Sequence, residues 1–288
     1  MCATILDKKV IICKNILRGG FVFIYFVLFL IIFLGNKNSI AKDNECHYNF
    51  GVTPQYDVRY LHSTWAPVLK ILTKKTGCIF TFTGSKSAIE FEENLKQGRF
   101  DLAYVNPVQV VIGYLSNGYV PFLRSKSKRL KGIIVVRKDD TIQDISELNG
   151  EKVVFPAYID IEAALLPKIA LKEKIGITVQ TSHVKTHSSV YLHVGKKLAR
   201  AGGGSYTSLN NQKQYIKDSL RVLYETDEIY PYALIIHGLI DEDNYNTIHD
   251  AFMKINEEAP ELLKTISLDN PIQADIDEYM YLEKWIQQ

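Results

Sequence analysis

Residues 78–107 read CIFTFTGSKSAIEFEENLKQGRFDLAYVNP, and this stretch decides the fold. Ile79–Thr83 has the aromatic and β-branched content of a strand. Ser85 or Ser87 can cap a helix running to Gln97, with Ile89, Phe91 and Leu95 on or near its apolar side. Leu102–Val105 is a short apolar strand, and Asn106-Pro107 opens a further helix to about Leu115. Strand, helix, strand and helix in this rhythm require parallel strands joined by right-handed crossovers.

The same rhythm extends in both directions. Upstream, residues 48–52 read as a strand and residues 61–75 as an amphipathic helix (Leu61, Trp65, Val68, Leu69, Leu72) that stops at Gly77. Trp65-Ala66-Pro67 fits a first helical turn, where proline loses no needed hydrogen bond. Downstream, strands are expected at 132–137, 152–155, 178–183, 221–224 and 233–236, with helices at 161–174, 188–198 and 248–263. The triple glycine 202–204 reads as a turn or a close-approach loop. Asp139-Asp140 and Asp241-Glu242-Asp243 read as solvated turns. Two α/β units follow, joined by crossings near 125–132 and 225–233.

Composition limits what such a chain can do. Its 288 residues are 47% hydrophobic and 23% charged, which excludes a disordered or collagen-like chain. The formal charge of +2 is unevenly distributed. Residues 21–34 are fourteen consecutive apolar residues, preceded by Lys8, Lys9, Lys14 and Arg18 and followed by Ser39-Ile40-Ala41. That is the anatomy of a secretory signal over residues 1–41, with cleavage after Ala41; an uncleaved membrane anchor is the alternative. Without it the chain keeps 29 basic and 31 acidic residues, a balance from which no basic nucleic-acid face is expected. An exported chain also permits a disulfide between the two remaining cysteines, Cys46 and Cys78. If their strands are parallel neighbours the two residues lie close together; two separate thiols are the alternative.

In open α/β sheets ligands bind beyond the carboxyl ends of the strands. The candidate binding residues there are Thr53, Gln55, Ser85, Tyr104, Asn106, Ala157, Tyr158, His187, Ser188, Ser189 and Gly203. No nucleophile elbow, zinc-protease helix, phosphate-binding loop or dinucleotide fingerprint occurs, so no catalytic residue is named and no enzyme is expected. His183, His187 and His193 fall within eleven residues but have no Cys, Asp or Glu nearby in sequence, so neither a metal nor a cofactor is expected. Asp160 and Glu162 stand where a helix begins, a favourable place for negative charge.

Several of these segments resemble one known family in their order: 50–54 (FGVTP), Trp65-x-Pro67, 98–107 (GRFDLAYVNP), 135–139 (VVRKD) with Leu148-x-Gly150, Ser182-His183 and 201–203 (AGG). Over about residues 48–255 the chain is similar to the periplasmic phosphate, phosphite and phosphonate-binding components of ABC transporters. The resemblance implies a type 2 periplasmic-binding fold: two lobes, each a mostly parallel sheet flanked by helices, joined by two hinge crossings. Residues 46–130 with 232–288 would form lobe 1, and residues 131–231 lobe 2. The implied protein is a periplasmic monomer that takes a small-molecule solute to an inner-membrane ABC permease; a ligand-sensing module serving a membrane sensor or kinase is the alternative. The family's His is matched by His187. Its Ser-Thr-Ser anion-binding run falls on Asp160-Ile161-Glu162, and its two ligand-contacting tyrosines fall on Ala88 and Val105. Two carboxylates thus occupy the place of anion-binding hydroxyls.

Overall fold

Residues 46–156 and 160–286 are described by a computed structural model; the signal segment and the Ala157-Tyr158 candidates lie outside these residues. The chain first builds β1 (His47–Val52), α1 (Val58–Thr76), β2 (Ile79–Thr83), α2 (Ala88–Lys96), β3 (Leu102–Val105), α3 (Pro107–Asn117) and β4 (Tyr119–Ser125). It then crosses to β5 (Ile133–Arg137), β6 (Lys152–Phe155), a helical run α4 (161–175), β7 (Gln180–His183), α5 (His187–Gly195), β8 (Ala201–Gly204), α6 (Tyr206–Asn210), α7 (Gln214–Asp218) and β9 (Leu220–Glu225). A second crossing returns it to β10 (Ala233–His237), α8 (Glu242–Glu258), α9 (Pro260–Thr265) and β11 (Pro271–Gln273).

Two sheets result, ordered β11-β4-β10-β3-β1-β2 and β7-β6-β8-β5-β9. β1 pairs in parallel with β2 and β3, and β6 with β7 and β8. The strand that returns from each crossing, β10 or β5, is antiparallel to both neighbours. These are the mostly parallel, helix-flanked sheets of a type 2 periplasmic-binding fold. The register His47↔Ile79 sets the preceding residues side by side, and Cys46 and Cys78 form a disulfide with Cα atoms 4.7 Å apart.

Sequence patterning explains the elements. Asp57 accepts from the Arg59 N–H to cap α1, and Gly77 closes it at φ 76°, a left-handed position that glycine adopts without strain. Leu61, Trp65, Val68, Leu69 and Leu72 bury one face of α1 against Phe50 and Val52 of the first sheet. Phe50 is wholly buried, a gain of about 2 kcal/mol. Ser87, not Ser85, caps α2. Asn106 and Gln109 form a reciprocal capping box on α3, with Pro107 at its first position.

Four local expectations are corrected. Pro67 lies inside α1, which begins at Val58. The triple glycine is strand β8, wholly buried in the middle of the second sheet. Glycine serves there for contact: a Cβ on Gly203 would lie 2.1 Å from the Ala163 carbonyl oxygen, and one on Gly202 would lie 2.6 Å from Val190. Asp140 is not a solvated turn residue but is buried, with Arg200 at 2.9 Å and the Ile142 N–H at 3.0 Å. The long helix expected at 248–263 divides into α8 and α9 before Pro260, where a proline nitrogen cannot continue the ladder.

Candidate functional site

The two crossings run side by side. Leu130 and Ile229 exchange backbone hydrogen bonds of 3.0 Å, and the Thr226 N–H donates to the Gly132 carbonyl at 2.9 Å. The Gly132 N–H donates in return to Thr226 Oγ1 at 2.9 Å. Gly132 also lies against α4: a Cβ there would be 2.3 Å from the Glu162 carbonyl oxygen. Among the described residues the chain passes between the sheets only in these two segments.

An aromatic cluster occupies the carboxyl ends of β1 and β3. The Tyr104 ring packs between Trp65 (centroids 5.1 Å) and Tyr232 (5.7 Å, stacked). Tyr232 is the residue before β10, so its position follows from the end of the second crossing. Burial holds both phenols in their neutral form, and the Asp160 and Glu162 carboxylates push Tyr232 further up. Thr53 donates its N–H to the Tyr104 carbonyl at 3.0 Å. It is 1% exposed, and its Oγ1 has no hydrogen-bond partner among the described residues. Tyr56, which is exposed, packs against Tyr60 at 5.1 Å.

The first turn of α4 and the start of α5 carry the charge. Asp160 Oδ1 accepts from the Ala163 N–H at 2.7 Å and caps α4, while its Oδ2 lies 2.9 Å from His187 Nε2. This bond raises the His187 pKa above its ordinary value, against the pull of burial. Glu162 is pushed up to about 7, mainly by burial and then by Asp160; the Lys131 backbone N–H, His187 and Lys128 oppose the shift. Lys131 itself pairs with Glu225 at 3.1 Å and Glu228 at 3.3 Å.

The sequence candidates therefore separate into groups. Thr53 and Tyr104 are adjacent, and Gln55 stands exposed on the turn that follows. His187 joins Asp160. Ser85 is buried and accepts a 3.4 Å bond from Asn94, and the Asn106 side chain is committed to its helix cap. Ser188 is exposed, and the Ser189 N–H donates to Thr186 Oγ1. Gly203 lies beneath α4. Lys128 and the Lys131 backbone also neighbour Glu162 without a sequence signal of their own, although both lie within the first expected crossing. No group of three or more His, Cys, Asp or Glu among the described residues is placed to hold a metal ion. A shallow depression of about 330 Å³ beside Tyr48, Asp101, His237 and Asp241 lies at the opposite, amino-terminal edge of the first sheet.

A family profile described as "ABC transporter, phosphonate, periplasmic substrate-binding protein" matches residues 50–279. Among solved structures, the binding component of a phosphonate ABC transporter from Pseudomonas aeruginosa superposes with a TM-score of 0.65 at 15% identity, covering 84% of this chain and 85% of that one. PhnD1 from Prochlorococcus marinus, solved with methylphosphonate, gives 0.67 at 15% identity over 84% and 97%. A Xanthomonas citri protein solved with ATP gives 0.70 at 14% identity over 83% and 94%. No helix among the described residues is long and apolar enough to cross a membrane.

Proposed function

Because the chain belongs to the phosphonate-type periplasmic substrate-binding proteins of ABC transporters, we propose that it captures a small solute between two lobes and presents it to an inner-membrane permease. The lobes would be residues 46–130 with 232–288 and residues 131–231. Residues 1–41 would act as the export signal, and the protein would work as a monomer. One observation carries the reading: two separate sheets are linked by two crossings that bond to each other at Leu130 and Ile229. A paired crossing of this kind bends at a few backbone positions while each sheet stays rigid. A solute that touches both lobes binds the closed state better than the open one, and that difference drives closure. The candidate contacts are Thr53, Gln55 and Tyr104 with Tyr232 on one side, and Asp160, Glu162, His187, Ser188 and Ser189 on the other. Ser85, Asn106 and Gly203 would support the strand ends from within.

Thermal unfolding of the purified protein with a library of small solutes tests the proposal. A genuine solute raises the melting temperature progressively with concentration, by about 2.7 kcal/mol of stability at one hundred times its Kd. A library that leaves the transition unmoved contradicts solute capture.

A further inference from the structure

We propose that the C-terminal segment Met280–Trp285 latches the two lobes together, with Trp285 as the side chain that restrains their rotation about the paired crossings. The latch rests on the solute-capture reading and adds an element, outside the candidate contacts, that governs how readily the lobes move.

The segment is anchored in lobe 1. Glu278, just before it, binds the buried Arg124 of β4, and Leu282 is wholly buried with Val110, Val111 and Ile112 of α3. Tyr279, at its head, holds the second crossing: its hydroxyl donates to the Pro231 carbonyl at 3.1 Å, and its ring lies 6.0 Å from that of Tyr230. The Tyr230 ring in turn meets the guanidinium of Arg129, from the first crossing, at 4.7 Å. The far end of the segment reaches lobe 2. Trp285 packs on an apolar cluster of Leu130 and Ile229 from the crossings and Ile161 and Leu166 from α4, joined there by Val108 of α3. Lys284 Nζ lies 3.5 Å from Glu173 Oε2, near the end of α4.

Rotation of one lobe against the other moves α4 relative to α3 and the segment, and so returns apolar surface of Trp285, Val108, Ile161 and Leu166 to water. Trp285 Nε1 is buried with no hydrogen-bond partner among the described residues, so the ring holds α4 by apolar contact. The Lys284–Glu173 pair contributes less, because the lysine side chain is 62% exposed and solvent screens it. Ile161 stands between Asp160 and Glu162, so the seat of Trp285 and two candidate solute contacts share one helical turn. A solute that pulls on that turn acts on the same equilibrium as the latch.

Hydrogen exchange and small-angle X-ray scattering on the unliganded protein test the latch without a known solute. In Trp285→Ala the amides of Leu130, Ile229 and residues 161–166 should exchange about tenfold faster, while β2 and β6 keep their rates. The pair-distance distribution should shift in the same variant, with its melting transition confirming that it is folded. Trp285→Phe should behave like the wild type, since no hydrogen bond is lost. Ile255→Ala hollows the core on the other face of the first sheet, so it should lower the melting temperature but leave residues 161–166 unchanged. The latch is overturned if Trp285→Ala loosens only residues 280–286, loosens both sheets evenly or leaves the distance distribution unmoved. It is also overturned if Trp285→Phe or Ile255→Ala loosens α4 as much as Trp285→Ala does. Each of these results leaves solute capture standing, because the solute library tests capture by itself.

Discussion

The strand ends of the first sheet are aromatic and neutral, with Tyr104 stacked on Tyr232 and tilted against Trp65 of α1; those of the second carry Asp160, Glu162 and His187. The two regions are also held together differently. The first sheet is fastened by cross-links: the Cys46–Cys78 disulfide on one flank, and on the other Arg124 of β4 bound through two nitrogens to Glu278 of the C-terminal segment. The second is held by close approach, with α4 and α5 packed onto the glycines of β8. Cross-links leave strand-end side chains free to vary. Close packing fixes the backbone of α4, and with it the two carboxylates of its first turn.

Substitutions that remove one kind of fastening at a time test this contrast. Glu278→Ala leaves Arg124 buried without its partner and should cost about 4 kcal/mol in chemical denaturation, most of it recovered when both residues are made apolar. Replacing Cys46 and Cys78 by Ala frees a 32-residue separation and should cost about 3 kcal/mol. Hydrogen exchange should rise at β1 and β2 in that variant and remain unchanged at β8; equal loosening of both sheets would break the contrast. Gly203→Ala brings a methyl group against a backbone oxygen that cannot move independently, so a loss of about 2–3 kcal/mol is expected, centred on β8 and α4.

The charged region predicts a pH effect of about 2 kcal/mol. Glu162 titrates near 7 when folded, above its ordinary 4.5, so the folded state binds the extra proton. Stability from this group is present at low pH and is lost as pH rises from about 4.5 through 7. His187, also raised, acts in the same direction, since its contribution is lost as pH rises through its folded value. Denaturation curves from pH 5 to 8 should therefore show falling stability in the wild type and a flatter profile for Glu162→Gln.

Much of the fold was legible because burial and local chemistry agree. Strands 79–83, 102–105 and 152–155 coincide with their apolar runs, and the Cys46–Cys78 pairing follows from parallel register. Strand β4 was not legible: its Pro121 argues against a strand, yet it is accommodated where the register with β10 shifts, opposite Ile235. Strand β8 escaped because AGGG carries no strand propensity; its glycines answer to helices that pack on it from elsewhere in the chain. At the site, Thr53 and Tyr104 could be placed together from strand ends alone. The Glu162 environment could not, because it depends on how α4 meets the crossing at Gly132 and Lys131, a contact with no local sequence signature.

Whether one small solute bridges the two regions is decided by a crystal structure with the most stabilising solute. Density should touch Tyr104 or Tyr232 on one side and Asp160, Glu162 or His187 on the other. A solute held by one region alone, or bound in the depression beside Tyr48 and Asp241, would contradict such bridging.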